Sequence, residues 1–161
     1  EGEITMKNLN EAMIEEIVRK LITEKLGDVS KKAEPEMSRD IEPKSGIMSI
    51  KTETVKPEKF DTGHAGDQVF LKDVVSVEES PRLGCGIMEM KETSFEWTLM
   101  YDEIDYVIEG TLEVDINGKK VVGNKGDIIY IPKASTIHFT VPNYSKFMYV
   151  TYPADWADQA K

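Results

Sequence analysis

The sequence contains one cysteine, two histidines and no long apolar run, and these shortages exclude several classes of protein. Because Cys85 has no intramolecular partner and no Cys-x-x-Cys pair exists, neither a disulfide scaffold nor a zinc module can form. No apolar stretch approaches the roughly 18–20 residues that span a bilayer, and the N-terminus lacks the basic start and apolar core of a signal peptide. We therefore expect a cytoplasmic protein without a membrane partner.

Basic residues are also scarce relative to acidic ones. The chain has 20 Lys+Arg against 30 Asp+Glu, which gives a formal net charge of -10. Such a chain repels a phosphate backbone and gains nothing from counterion release, so we do not expect it to bind nucleic acid. Its 161 residues are enough for one domain of ordinary size, since single domains cluster at roughly 100–150 residues.

An amphipathic helix is predicted within residues 1–27. Apolar residues recur at spacings of three and four between Leu9 and Leu26, Asn10 can cap the start, and Gly27 supplies a stop. A single helix cannot bury such a stripe by itself. It must dock on the rest of the protein, pair with a copy of itself, or bind another protein.

The next segment, residues 28–59, is predicted to be a flexible linker. It is rich in charged residues, serine and proline and has almost no aromatic side chains, so it cannot form a core. The run at residues 46–50 is its one candidate for an edge strand.

Residues 60–161 have the pattern of an all-β domain. Asn117-Gly118, between 111–116 and 119–122, is a favoured type I′ hairpin pair. Other short alternating runs are 68–72 and 94–99. Many short strands with little helix indicate a single jelly-roll β-barrel. The run Pro153-Ala154-Asp155-Trp156 is predicted to be a cover strand or short turn that packs Trp156 on the outside. The open edges of the barrel favour pairing of two copies, so we expect a homodimer.

The order of residues in this region resembles the two cupin motifs. Glu103 is followed by six residues and then Gly110, and Gly126 is followed by five residues and then Pro132. No His-x-His pair precedes Glu103, and His138 lies one residue beyond the position expected for a ligand. Two candidate ligands are fewer than the three or four that a transition metal needs, so we expect no tightly bound transition metal.

The stretch Trp97–Gly110, together with Ile131-Pro132-Lys133, is similar to the cupin domain of the EutQ family of ethanolamine-utilisation proteins. The resemblance covers about residues 60–157. It implies a bacterial protein associated with a microcompartment, and an acetate kinase activity that uses ATP with Mg²⁺. The helix at residues 9–26 likewise resembles the short tags that bind microcompartment shell proteins, although a docked helix is the plain interpretation.

Glu103 and Asp105 are the candidate catalytic residues. If Glu103 points inward, two-residue alternation places Asp105 and Val107 on the same face. Such a carboxylate cluster can act as a general acid or base, or hold Mg²⁺ through water. Acidic residues on strands are also often simply solvated.

Seven residues are candidates for binding the substrate. Tyrosine hydroxyls can orient a carboxylate or a phosphate, and a lysine at the rim can neutralise phosphate charge. Core packing is the competing interpretation for Trp97, and a structural hydrogen bond for His138. The set is Glu96, Trp97, Tyr101, Tyr106, Lys133, His138 and Tyr149.

One absence counts against a kinase. The chain has no Gly-x-x-x-x-Gly-Lys-Ser/Thr loop to cradle a triphosphate. The alternative hypothesis is therefore a non-catalytic cupin module for binding or assembly in the microcompartment. Magnesium-dependent turnover distinguishes the two.

Overall fold

The computed structural model describes residues 14–16, 18, 20 and 37–159. The chain divides into two units, Glu1–Pro35 and Glu36–Lys161. In the first unit, residues 14–16, 18 and 20 are helical and exposed, in agreement with part of the predicted helix. The rest of the predicted helix and residues 28–36 lie outside the described residues.

The second unit is built almost entirely of strands. A 3₁₀ turn at Thr52–Thr54 lies between β2 and β3, and the short helix α1 covers Trp156–Gln159. The strands are β1 Arg39–Ile41, β2 Met48–Ile50, β3 Glu58–Lys59, β4 Val69–Asp73, β5 Gly84–Leu99, β6 Asp102–Ile116, β7 Lys119–Asn124, β8 Ile128–Ile131 and β9 Ser135–Tyr152. Within the described ranges, no helix combines the length and hydropathy that a membrane crossing requires.

Seven of the strands form one antiparallel sheet. Its order is β3-β4-β5-β9-β6-β7, with β8 paired to β6, while β1 and β2 pair separately. The strands β5 and β6 are longer than the sequence pattern suggests, because each runs through a bend. In β5 the register shifts between Lys91 and Thr93, where Glu92 has φ 44°. In β6 the bend is at Gly110, φ 76°, where a side chain would collide with the backbone of Tyr144.

The predicted hairpin at Asn117-Gly118 is confirmed. The two residues have φ 51° and φ 74°, as a type I′ turn requires, and they join β6 to β7. The turn fixes the register of β6 and therefore determines which β6 side chains face inward.

Side chains that alternate inward from the sheet form the main core. This core contains aromatic residues of the two strands β5 and β9 and of the C-terminal helix, among them Phe95, Phe139, Phe147, Tyr149 and Trp156. A smaller second cluster consists of Val55, Val74 and Ile87, with Met37 and Ile50 packed against it.

Residues 37–59, which were predicted to belong to the flexible linker, contain regular structure. Residues 37–59 form β1, β2, the 3₁₀ turn and β3. Few apolar residues occur there, but Val55 is buried, and Met37 and Ile50 pack against the second cluster. An ion pair between Arg39 Nη1 and Glu79 Oε1, 3.0 Å apart, adds a contact with the loop before β5. Composition underestimated this segment because three well-placed apolar side chains are enough to hold it.

Candidate functional site

Glu103 and Asp105 lie side by side on the inward face of β6. Only 6% of Glu103 and 0% of Asp105 are exposed, and Val107 continues the same buried row. The alternation expected from the sequence is confirmed. Both carboxylate oxygens of Asp105 lack a hydrogen-bond partner among the described residues.

Burial determines the charge state of this pair. Removal from water raises the pKa of Glu103 to about 8. For Asp105, burial and then the charge of Glu103 raise the pKa well above its ordinary value. No lysine or arginine of the described chain forms an ion pair with either group. Near neutral pH the pair therefore holds protons and is not a pair of free carboxylates.

The sheet register connects Asp105 with a third acidic residue. Asp105 is opposite Tyr149, Tyr149 is opposite Gly86, and Gly86 is opposite Asp73. Because Gly86 has no side chain, the phenol of Tyr149 crosses it and donates a hydrogen bond to Asp73 Oδ1 at 2.7 Å. Trp156 Nε1 donates to the same oxygen at 3.2 Å. Burial, followed by the charge of Asp73, raises the pKa of Tyr149, so its hydroxyl stays protonated.

Aromatic side chains close the sheet interior above Glu103. Trp97 Nε1 donates to the Tyr101 hydroxyl at 2.8 Å, and the rings of Phe60 and Trp97 meet edge to face at 5.6 Å. Trp156, 7% exposed, lies among them, whereas the sequence suggested that it packs on the outside. The space left at Glu103 is about 10 Å³ for the centre of a water-sized sphere, enough for about one water molecule. Neither ATP nor acetate fits there.

A much larger groove lies on the far side of Asp73. Its volume is about 610 Å³, within the range of small-molecule sites. Apolar side chains such as Leu83 and two cationic residues, Arg39 and Lys72, contribute to its walls. Lys72 Nζ lies 2.7 Å from Glu58 Oε1, and Arg39 pairs with Glu79. Asp73 thus joins the closed interior to an open groove.

The structure brings together only part of the predicted binding set. Trp97, Tyr101 and Tyr149 surround the same small cavity as Glu103. The other four face away from it. Tyr106 is 41% exposed on the outer face of β6, and Lys133 is exposed at the end of β8, where its amide donates to Asp102. Glu96 and His138 are exposed and opposite each other on β5 and β9.

Sequence reasoning missed Asp73 and misplaced Trp156. Asp73 ends an alternating run and carries no motif, and its importance depends on pairing with strands far along the chain. The signal that was present is Gly84-Cys85-Gly86, because two glycines in one strand indicate that other groups cross it closely. A side chain at Gly84 would collide with Thr151 Oγ1, and one at Gly86 with Tyr149.

The residues present do not fit the transition-metal centre of a cupin. Among the described residues, no group of three or more His, Cys, Asp and Glu side chains is placed to hold a metal ion. His138 lies 4.0 Å from Glu96 on the outer surface and not beside Glu103. The interior therefore offers two carboxyl groups, fewer donors than a transition metal requires.

The model of the family described as ethanolamine utilisation protein EutQ matches residues 9–158. The chain belongs to the EutQ family. A Clostridioides difficile relative named "Acetate kinase EutQ" is 52% identical over 157 residues, which are 96% of this chain and 98% of the relative. A Salmonella typhimurium relative with the same name is 33% identical, and the match covers 97% of this chain but only 65% of the longer relative.

A solved structure of a family member gives the same fold. The Clostridium difficile EutQ protein superposes with a TM-score of 0.75 at 56% identity, covering 78% of this chain and 93% of that chain. The prediction of an all-β cupin fold is confirmed. The prediction of membership in the EutQ family is confirmed as well.

Proposed function

We propose that this chain transfers the γ-phosphoryl group of ATP to acetate, giving ADP and acetyl phosphate. The observation that carries the proposal is the 52% identity, over nearly the whole length, to a relative named acetate kinase. In the reaction an acetate oxygen attacks the γ-phosphorus while the bond to the β,γ-bridging oxygen breaks, and ADP leaves.

We propose further that the reaction takes place in the groove and not in the sheet interior. The 610 Å³ groove has room for a nucleotide, whereas the interior has room for one water. A protonated carboxyl pair without a neighbouring cation gives an anionic substrate no attraction. This moves the proposed site from Glu103 and Asp105 to the residues around Asp73.

Three groove residues have the chemistry that phosphoryl transfer needs. Arg39 and Lys72 can neutralise phosphate charge, because surface ion pairs such as theirs with Glu79 and Glu58 are worth only about 0–1 kcal/mol and can exchange for phosphate. Tyr149 and Trp156 hold Asp73 by Oδ1 and thereby orient its carboxylate. The Mg²⁺ that accompanies ATP prefers one or two carboxylates together with phosphate oxygens and water, and Asp73 supplies such a carboxylate.

The experiment is ADP release from ATP, acetate and Mg²⁺, measured for the parent, Asp73→Asn, Glu103→Gln and the exposed control Glu109→Gln. We expect Asp73→Asn to lose at least tenfold in kcat/KM, and the other two variants to stay within twofold of the parent. If Glu103→Gln loses activity while Asp73→Asn keeps it, the reaction takes place at the interior carboxyl groups and not in the groove. Equal background in all four proteins would refute the kinase proposal.

A second candidate is a non-catalytic binding or assembly module of a bacterial microcompartment. An exposed apolar surface on the outer face of β6 and β8, with Ile104, Tyr106, Ile128 and Tyr130, supports an interaction role. Residues 9–26 are the proposed contact with shell proteins. Absence of turnover, together with co-sedimentation with shell proteins that deletion of residues 1–36 abolishes, would favour this function.

A further inference from the structure

Trp156 lies inside a cage formed by four other aromatic rings. The distances from its ring centroid are 5.9 Å to Tyr149, 6.1 Å to Phe60, 6.3 Å to Tyr101 and 6.5 Å to Trp97. The side chain comes from α1, a helix of only four residues near the end of the described chain. Its indole Nε1 donates a hydrogen bond to Asp73 Oδ1. The cage is thus formed mainly by the sheet and filled by the C-terminal segment.

The same enclosure contains acidic groups without a counter-charge. Glu103 lines the cavity beneath the rings, and Asp105 is next to it on the same face of β6. Both Asp105 oxygens and Thr151 Oγ1 are buried without a hydrogen-bond partner among the described residues. Thr151 is directly opposite Glu103 across the β6–β9 ladder. Glu103, the acid that lines the cavity, therefore has buried polar neighbours that remain without partners when Trp156 fills the cage.

Aromatic rings around buried carboxyl groups are suited to one class of ligand. The ring faces carry negative electrostatic potential and attract cations, most strongly cations that shed water easily. A cation bound there lowers the pKa of Glu103, and the carboxylate that forms when the proton leaves to solvent supplies the opposite charge. The carboxyl pair offers an anion no counter-charge, and a metal ion has too few donors there. An organic ammonium ion satisfies both the rings and the carboxyls.

We propose that the interior of the sheet is a binding site for a small organic ammonium ion, and that the indole of Trp156 occupies this site in the ligand-free protein. The ligand displaces the indole from the cage, which breaks the hydrogen bond between Trp156 and Asp73. The ligand must be small, because the space available is that of one indole and about one water. This inference does not depend on the kinase proposal, since it concerns a cation and the interior and not the groove.

The test uses the two indole N–H signals in the nitrogen–proton NMR spectrum of the full chain, titrated with ethylammonium chloride. We expect the Trp156 signal to shift saturably as its bond to Asp73 breaks. Sodium chloride at equal ionic strength and ethanol, a neutral molecule of equal size, should not produce this shift. Glu103→Gln should weaken binding at least tenfold, and Glu109→Gln, an exposed carboxylate on the same strand, should leave it unchanged.

Variants of Trp156 make the test independent of how readily the indole leaves the cage in the parent protein. Trp156→Ala should bind ethylammonium at least tenfold more tightly than the parent, because no indole competes, and Trp156→Leu should show the same direction if the alanine variant does not fold. Equal binding of ethanol and ethylammonium would show an ordinary apolar cavity and overturn the proposal. Absence of saturable binding in both the parent and the folded Trp156 variant would also overturn it.

Discussion

The phenol of Tyr149 passes over Gly86 and donates a 2.7 Å hydrogen bond to Asp73 on the strand beyond. Three strands are thereby linked by one side chain. The contact connects the protonated carboxyl pair of the interior with the open groove, and it exists only because the middle strand has a glycine at this position.

Gly86→Ala tests this connection. The new methyl group would overlap the Tyr149 ring, so the ring must move and its bond to Asp73 must break. We expect the free energy of unfolding to fall by about 1–3 kcal/mol, as for other overpacked cores, in a urea titration. Gly66→Ala is the matched control, since a side chain there meets nothing and should change stability by less than about 0.5 kcal/mol. Equal midpoints for the two variants would contradict the prediction.

The carboxyl pair should make the protein less stable as pH rises. The pKa of Glu103 is raised from 4.5 to about 8 in the folded protein, so between these values the folded state binds more protons than the unfolded state. Stability is therefore greatest below pH 4.5 as far as this group is concerned, and it declines until pH 8. We expect a loss on the order of 4 kcal/mol between pH 5 and pH 9 by urea unfolding.

The variant Glu103→Gln isolates this contribution, because the amide stays neutral at every pH. Its free energy of unfolding should vary much less between pH 5 and pH 9 than that of the parent. Glu109→Gln, which removes an exposed carboxylate, should keep the parent's pH dependence. A parent whose stability rises over this interval would show that the pair is ionised in the folded state.

Truncation should reveal that residues 36–53 belong to the folded unit. A chain that begins at Thr54 lacks Met37 and Ile50, which pack against the cluster of Val55, Val74 and Ile87. We expect it to keep a cooperative transition but to lose about 1–3 kcal/mol relative to a chain that begins at Glu36, because two partly buried apolar side chains are removed. Equal stability would show that the segment is a dispensable tether.

We propose that a second copy of the chain covers the apolar outer face of the sheet. The sequence suggested pairing of sheet edges, but the exposed apolar side chains lie on a face. Ile104 is opposite Tyr130 and Tyr106 is opposite Ile128, and these four are 41–67% exposed. Such an uncharged face can pack on its own copy around a two-fold axis.

Light scattering should therefore give twice the chain mass of 18.2 kDa for the parent. The double variant Tyr106→Lys with Ile128→Lys should give the monomer mass, because four lysines would face one another across the two-fold axis. Ile47→Lys, in the turn between β1 and β2, alters an exposed apolar residue away from this face and should leave the dimer intact. A monomeric parent would remove the dimer proposal.

The local part of this structure could be predicted from the sequence. Alternation placed Glu103, Asp105 and Val107 on one face, and Asn117-Gly118 fixed the hairpin, because both depend on neighbours along the chain. The alignment of Asp105 with Asp73 across the sheet could not be predicted. It depends on the register of four strands that are far apart in sequence. Trp156 was misplaced for the same reason: nothing near it in the sequence indicates that the sheet interior has a gap of its size.

Asp73 accepts one hydrogen bond from the wall of the interior and one from the indole that fills it, and it also lines the groove. A ligand that engages this carboxylate from the groove must alter how firmly Trp156 is held, and a ligand that expels Trp156 must alter the carboxylate. Thermodynamic linkage requires the two effects to be equal in free energy. The affinity for an interior cation and the affinity for a groove ligand should therefore change each other by the same factor.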